Sequence, residues 1–406
     1  INIARQSDAL AEVRNNWGSA GLLPTLIANG SYTYALNDLS QQVAVAMDSA
    51  GSPGPPAEIE GAAFQTYSAG ITLNYVLFDG FGRINNLNKL RLERDLSETQ
   101  LRFSIENTLL QVFNTYYNTA RQWQQVKVDE EALGLSQRRY ERAKAAYELG
   151  GGRRLDMLNA EVDLNADSVT YMNSLRDYDK TRRQLYLLLN FPLDTLIEVD
   201  TIVSIDQNLD YNQLREAALE NNASLVQAEF NREISKKEIA IARSNYMPEI
   251  SANGGYNYTR NENDGGFLLF SEQQGWQAGI SVRWNLFNGY RTATEIQSAQ
   301  IRLEQDEISR ELAQDQLELD LSNAWVDYQT NLRILRTEER NLGVARLNFD
   351  RSQQAYDLGQ INSSQLREAQ INYIRAKLII NNLRFTLKAA EIDLRRIAGE
   401  LIQYSN

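Results

Sequence analysis

The sequence has no cysteine and no histidine among its 406 residues. The lack of cysteine excludes disulfide bonds, zinc-thiolate sites and a cysteine nucleophile, and the lack of histidine excludes imidazole metal sites and histidine-based catalytic triads. The chain is also acidic, with 41 basic and 53 acidic side chains and a net charge of −12. This balance argues against a nucleic-acid partner, because such binding depends mainly on cationic groups that neutralise phosphates. We therefore expect no metal, no cofactor and no nucleic acid.

Proline and long apolar runs are scarce as well. Only six prolines occur, and none lies within residues 57–191 or 249–406. Because proline interrupts helix interiors, both ranges can form very long helices. No run approaches 18 consecutive apolar residues, which excludes a transmembrane helix. The chain begins at Ile1 rather than at methionine, so we expect that a signal peptide has been removed or that the chain has been trimmed.

The sequence repeats itself at an offset of 209 positions, the difference between Phe78 and Phe287. The VLFDG segment that ends at Gly80 corresponds to the NLFNG segment that ends at Gly289. Further identical residues recur at the same offset, namely Leu133 and Leu342, Gly134 and Gly343, Tyr147 and Tyr356, Leu149 and Leu358, Gly150 and Gly359, Ala160 and Ala369, and Leu185 and Leu394. One offset that recurs at separated places predicts an internal duplication. We assign residues 1–204 to the first repeat and residues 205–406 to the second.

Alternation of apolar and polar residues predicts two strands in each repeat. From Trp276 to Leu286 every second residue is apolar, over the length that crosses a bilayer as a tilted strand. The predicted strands span about residues 24–36, 67–78, 249–260 and 275–287, and surface loops at 37–66 and 260–274 join them within each repeat.

The two faces of these strands indicate a sheet that contacts lipid. Apart from Arg283, the polar positions are small and uncharged, as in the lumen of a membrane barrel. The apolar positions near the strand ends carry the aromatic residues typical of a membrane-interface girdle, namely Tyr75, Trp276 and Trp284. A hairpin of a soluble sandwich with one solvated face is the alternative interpretation.

After each LF[D/N]G segment the pattern predicts a long helix, a glycine turn and a shorter return helix. The long helices would measure about 100 Å, too long to fold back into the core of a compact domain. Apolar residues at spacings of three and four predict coiled-coil-like packing. The predicted helices span residues 84–148, 155–189, 290–357 and 363–398, with a further helix at 211–245, a short helix within 1–20 and an irregular bridge at 191–210.

Four strands are too few to close a barrel, and an open sheet edge in lipid leaves backbone groups without hydrogen bonds. Closure must therefore come from other copies of the chain, and three copies would supply twelve strands around a water-filled lumen. The predicted fold is a membrane β-barrel continued by a long α-helical barrel, an α+β architecture completed by a homotrimer. Such an assembly is a conduit. One alternative is a soluble periplasmic coiled-coil scaffold. A hydrolase has little support, because the carboxylates lie on solvated helix surfaces, and we therefore expect no enzymatic activity.

Motifs at the strand ends resemble those of a known family. They are the GLLPTL segment that ends at Leu26, the ARSNYMPEI segment that ends at Ile250, and the LF[D/N]G[F/Y] segments that end at Phe81 and Tyr290. In order and spacing, the sequence resembles the TolC family of outer-membrane efflux proteins over essentially its whole length. The resemblance implies a homotrimer in the outer membrane of a Gram-negative bacterium, with its helices in the periplasm. It also implies a periplasmic adaptor protein and an inner-membrane transporter as partners, and either drug efflux or type I protein secretion as the task.

The same resemblance implies functional residues at the ends of the helical hairpins. It places the polar links and the acidic ring of the periplasmic aperture on Asp156, Tyr356, Gln365 and Glu368. Ile361 stands where the family has an arginine, and we infer Arg367 as one substitute partner. The family's adaptor-docking tips fall on Leu149, Gly150, Gly151, Leu358, Gly359 and Gln360. The alternative roles are a helix-terminal acid for Asp156, packing for Tyr356, a solvated charge for Glu368 and simple turn formation for the glycines.

Overall fold

The computed structural model describes residues 1–41, 57–193, 199–265 and 268–404. Its elements, in chain order, are α1 (Asn2–Arg14), β1 (Thr25–Gln41), β2 (Ala57–Phe78), α2 (Gly82–Glu148), α3 (Arg154–Leu189), α4 (Tyr211–Asn221), α5 (Ala223–Ser244), β3 (Glu249–Asn263), β4 (Phe270–Arg283), α6 (Arg291–Asp357), α7 (Ser363–Ile397) and α8 (Leu401–Tyr404). In both repeats two strands precede a helix of 67 residues and a return helix of about half that length.

The four strands form one antiparallel sheet in the order β1-β2-β3-β4. The strands of the first hairpin run beyond their predicted bounds, because backbone pairing continues past Leu36, where the alternation of apolar residues ends, through a register shift between Asn37 and Leu39. Residues 37–41 and 57–66 of the predicted loop at 37–66 are therefore strand residues. Residues 42–56, with its glycines and prolines, lie outside the described residues.

The register separates an apolar face of the sheet from a polar one. Ile71, Tyr256 and Trp276 lie opposite one another on three neighbouring strands, and the rings of Tyr256 and Trp276 meet edge to face at 5.2 Å. On the other face, hydroxyls and amides pair across the strands. These pairs are Ser31 with Ser68 at 2.7 Å, Thr66 with Asn261 at 2.9 Å and Ser251 with Ser281 at 2.8 Å. This is the alternation that the sequence predicts.

The last strand begins and ends earlier than its predicted range of 275–287. β4 begins at Phe270 and ends at Arg283. Residues 270–274 of the predicted loop at 260–274 are therefore strand residues. Trp284 follows the strand, and its indole Nε1 donates a hydrogen bond of 3.0 Å to the carbonyl of Tyr246. Tyr246 lies outside the sheet, so this bond forms where the chain leaves its backbone pairing with β3.

The single helix predicted at 211–245 is two helices, so this prediction is wrong. Asn222 separates α4 from α5 with an extended backbone, φ −62° and ψ 120°. Its side-chain Oδ1 accepts hydrogen bonds from the backbone N–H groups of Ser224 at 3.0 Å and Leu225 at 3.2 Å, while its Nδ2 donates to the carbonyl of Ile397 at 3.0 Å. Asparagine favours such N-cap positions because its side chain satisfies free amides at a helix start.

The chain divides into two compact units. One comprises Ile1–Arg5, Glu98–Glu229 and Ile308–Asn406, and the other comprises Gln6–Ser97 and Phe230–Glu307. Each unit takes segments from both repeats, so the compact units do not follow the repeat boundary predicted near residue 204. The sheet belongs to the second of these units, and the ends of both helical hairpins belong to the first.

The core of the first unit is a helix-packing core. Leu321 and Tyr328 of α6 and Leu387 and Leu394 of α7 are at most 1% exposed and belong to one cluster. The hydroxyl of Tyr328 donates a hydrogen bond to the carbonyl of Asp206, which satisfies the polar end of this buried ring. Apolar side chains at spacings of three, four and seven residues thus pack as the helical periodicity predicts.

No helix in the described part of the chain combines the length and the hydropathy needed to span a bilayer.

Candidate functional site

Both helical hairpins end in the same kind of turn. Gly150 and Gly359 adopt positive φ angles of 79° and 71°. In the first turn the amide of Gly151 donates to the carbonyl of Ala146 at 2.9 Å, and in the second the amide of Gln360 donates to the carbonyl of Ala355 at 2.8 Å. These bonds close the C-terminal carbonyls of α2 and α6 in the manner of a Schellman cap. The two tips are therefore structural equivalents.

Each tip presents a leucine to solvent. The side chain of Leu149 is 88% exposed, and that of Leu358 is 72% exposed. Both leucines stand directly before the left-handed glycine, so the backbone turn holds them away from the helix-packing core. Both hairpin ends thus expose a leucine at the equivalent position, which turn formation alone does not require.

The return helices begin differently in the two repeats. α7 starts with a capping box, in which Asn362 Oδ1 accepts from the amide of Gln365 and Gln365 Oε1 accepts from the amide of Asn362, both at 3.0 Å. At the start of α3, Arg153 makes no side-chain cap. Asp156 lies in the first turn of α3, where the helix dipole favours an acid, and pairs with Arg153 Nε at 3.3 Å.

The structure gives Tyr356 a partner that the sequence did not indicate. The guanidinium carbon of Arg142, on α2, lies 5.0 Å from the centre of the Tyr356 ring. Arg142 also forms an ion pair with the carboxylate of Asp357 and donates to the carbonyl of that residue at 3.0 Å. No hydrogen bond joins Tyr356 to Asp156 within the described residues of one chain. Arg142 therefore links the outgoing helices of the two hairpins near their ends.

Arg367 is held within the chain by a fork-to-fork ion pair. Its Nη1 and Nη2 donate to Asp167 Oδ2 and Oδ1 at 2.6 and 2.9 Å, and Nη1 also donates to Ser136 Oγ at 3.1 Å. Burial lowers the pKa of Arg367, but the bonds to Asp167 and the charges of Asp167 and Asp163 outweigh it and raise that pKa overall. Arg367 thus stays charged and ties α7 to α2 and α3.

Glu368 and Gln365 lie on one solvated face of α7. Both side chains are exposed, and residues three positions apart share a helix face. Gln365 is neutral and takes part in the capping box. Glu368 is the charged member of the pair. The arrangement presents one carboxylate per chain near the start of α7.

The predicted girdle residues lie on or beside the sheet. Trp276 is 84% exposed, and Tyr75 and Trp284 are also exposed. Trp276 is a strand residue on the apolar face, whereas Trp284 follows the end of β4. Exposure of large aromatic side chains on an apolar sheet face is typical of a surface that contacts a membrane or another protein.

A duplicated unit of two strands and two helices, whose four strands share one sheet, defines an α+β fold class. The chain belongs to the outer membrane efflux protein family, whose model matches residues 3–190 and 214–400. These two segments fall within the two repeats. The family resemblance of the sequence is thereby confirmed.

Named relatives extend over nearly the whole chain. Outer membrane protein TolC of Vibrio cholerae is 21% identical, with 99% of this chain and 87% of the relative covered. The probable efflux pump outer membrane protein TtgC of Pseudomonas putida is 24% identical, with coverage of 94% and 76%. The crystal structure of the outer membrane protein VceC of Vibrio cholerae shares the fold, with a TM-score of 0.77, 16% identity and coverage of 98% of this chain and 92% of that one.

Loss of the Arg367 ion pair should destabilise the protein far more than loss of an exposed pair. Arg367→Leu should lower the free energy of unfolding by about 3 kcal/mol, because it leaves the largely buried carboxylate of Asp167 without its guanidinium. Arg384→Leu, which breaks an exposed pair with Glu339 at 3.1 Å, should cost less than about 1 kcal/mol. Denaturant titration of the detergent-solubilised protein measures both changes.

The double variant Arg367→Leu/Asp167→Leu is the control for the buried charge. It should recover most of the stability that Arg367→Leu loses, because no uncompensated carboxylate remains. Equal losses of stability for Arg367→Leu and Arg384→Leu would contradict the assignment of the Arg367–Asp167 pair as a largely buried link between helices.

Proposed function

We propose that this protein is the outer-membrane channel of a tripartite export system. Three copies form a passive conduit through the outer membrane of a Gram-negative bacterium and into its periplasm. An inner-membrane transporter drives small toxic compounds through it by way of a periplasmic adaptor. The observation that carries the proposal is the match of both repeats to the outer membrane efflux protein family, joined to a sheet whose apolar face exposes Trp276.

The sheet supports the membrane part of this function. Its apolar face suits contact with lipid, and the serine, threonine and asparagine pairs of its other face suit contact with water in a lumen. Tyr75, Trp276 and Trp284 would lie at the boundary between the acyl chains and the headgroups, where aromatic rings with a polar edge are favoured. Outer-membrane lipid is thus a proposed partner of this face.

The hairpin tips support the adaptor part of this function. Leu149 and Leu358 are exposed beside left-handed glycines, and Gly151 and Gln360 complete the two turns. Glycine leaves the backbone open to close approach. We therefore propose that the apolar ends of an adaptor hairpin pack on these leucines and on the bare turn backbone.

The start of α7 supports a cation-selective aperture. Glu368 from each of three chains, drawn together around a threefold axis, would form a ring of carboxylates that attracts cations. Arg367 is engaged with Asp167 in its own chain. Arg367 therefore does not neutralise the charge of the exposed Glu368. Asp156 and Tyr356, at the ends of the same hairpins, are the proposed polar contacts between hairpins when the aperture is closed.

Export and docking can be tested together by gene deletion and complementation. The deletion should lower the minimum inhibitory concentrations of several drugs, and the wild-type gene should restore them. Leu149→Asp/Leu358→Asp should fail to restore them, because burying two carboxylates against an apolar adaptor end is unfavourable. Leu149→Met/Leu358→Met is the matched control and should restore resistance, because methionine keeps an apolar side chain of similar volume.

Immunoblots of outer-membrane fractions show whether each variant reaches the membrane in equal amounts. A deletion that leaves drug susceptibility unchanged but abolishes a secreted protein would replace drug efflux with type I protein secretion. Full resistance with the two aspartates at wild-type protein levels would remove the leucines from the docking surface.

The proposed acidic ring predicts opposite effects for two neighbouring substitutions. Glu368→Gln should lower the preference of the channel for cations, because it removes one charge per chain from the passage. Gln365→Glu should raise that preference, and it keeps the capping box because glutamate also serves at this position. Reversal potentials of single channels in planar bilayers under a salt gradient measure both. Unchanged selectivity in both variants would remove this face of α7 from the pore lining.

A further inference from the structure

The first compact unit contains a cavity of about 380 Å³ between the two hairpins. Three arginines of α2 line it on one side, and aromatic and amide side chains of α6 and α7 line it on the other. The lining includes Arg138, Arg139, Arg142, Phe349 and Tyr356. A cavity of this size is large enough for a small organic molecule.

Arg139 is buried with unused hydrogen-bonding capacity. Its side chain is 2% exposed, and its Nη2 pairs with Asp163 Oδ2 at 2.5 Å. Its Nε and Nη1 are buried and have no hydrogen-bond partner in the described part of the chain. Buried guanidinium N–H groups without acceptors are costly, and the great majority of buried polar groups in folded proteins are paired.

The charges around the cavity favour an anion. Burial lowers the pKa of Arg139, and the positive charge of Arg367 adds to this effect against the opposing charge of Asp163. Asp163 is itself shared, since Arg367 Nε lies 3.7 Å from its Oδ2. Arg138 is exposed, and no ion pair within the described residues involves it. Because Arg142 pairs with Asp357 and Arg139 with Asp163, the excess positive charge at the lining of the cavity comes from Arg138.

Packing of the hairpins does not by itself require these charges. At the offset of 209 positions, the equivalents of Arg138, Arg139 and Asp163 in the second repeat are Leu347, Asn348 and Asn372. The second hairpin has an outgoing helix of the same length, a return helix one residue shorter and the same kind of tip turn, without an arginine cluster at these positions. The cluster is thus a property of one repeat and calls for an explanation beyond the shared fold.

We propose that this cavity binds a small aromatic carboxylate. Its carboxylate would accept hydrogen bonds from Arg138, which is exposed, and from the unpaired nitrogens of Arg139 once that side chain shifts toward the cavity, because a guanidinium offers parallel donors that match two carboxylate oxygens. Its ring would pack against Phe349 and Tyr356, which together with Leu135 and Leu366 form the apolar part of the lining. A ligand held in this way contacts α2 of the first hairpin and α6 of the second, and so links them.

The test of this site does not depend on the proposed export function, because binding is measured on the purified protein without transport. Isothermal titration calorimetry of the full chain in detergent, at constant ionic strength, should detect saturable binding of benzoate. Benzamide has the same ring without the negative charge, and it should bind at least about tenfold more weakly, since hydrogen bonds to charged groups are the stronger ones.

Two variants assign the binding to the arginines. Arg138→Gln and Arg139→Lys should each weaken benzoate binding by about tenfold or more, because a glutamine or an ammonium cannot reproduce the guanidinium fork. Arg138 is exposed, so its variant keeps the test valid if Arg139→Lys fails to fold. Arg340→Gln changes an exposed arginine of α6 outside the cavity and should bind benzoate as the wild type does. Absence of saturable benzoate binding, equal binding of benzamide, or equal affinities of Arg138→Gln and Arg340→Gln would overturn the proposal.

Discussion

The backbone groups along the two outer edges of the sheet set the main constraint on this protein. Within the described residues β1 pairs only with β2, and β4 pairs only with β3. In lipid each unpaired N–H or C=O group costs several kcal/mol, so a sheet with an exposed Trp276 and two free edges is unsuited to stand alone in a membrane. The edge of one copy offers the hydrogen-bond partners that the opposite edge of another copy needs, and the proposed assembly of several copies meets that need.

The hairpin ends divide their polar and apolar groups between two uses. Arg367 with Asp167 and Arg142 with Asp357 join helices of one chain, and they fix the relation of the two hairpins near their tips. Glu368, Leu149 and Leu358 remain exposed and are available to other copies or to a partner protein. The same few turns of helix therefore stabilise the protomer and present the surface on which the proposed assembly depends.

Local patterns predicted the architecture, because duplication and periodicity leave direct traces in a sequence. The correspondence of Phe78 and Phe287 located the repeats, and the alternation around Trp276 located a strand that the structure contains. The patterns did not predict the extension of β1 beyond Leu36, where backbone pairing continues without apolar alternation. They also did not predict the break at Asn222, whose side chain caps α5 and in addition donates a hydrogen bond to the carbonyl of Ile397 far along the chain. Charged pairs were missed for a related reason. On long solvated helices nearly every turn carries charges, so no spacing distinguishes Asp167 as the partner of Arg367 two hundred positions away.

Oligomeric mass tests the central claim most directly. Native mass spectrometry of the detergent-solubilised protein should give a complex of three times the chain mass of 46.2 kDa, released as single chains only on denaturation. A stable, folded species with the mass of one chain, soluble in buffer without detergent, would contradict the account, because its two sheet edges would then need no partner strand.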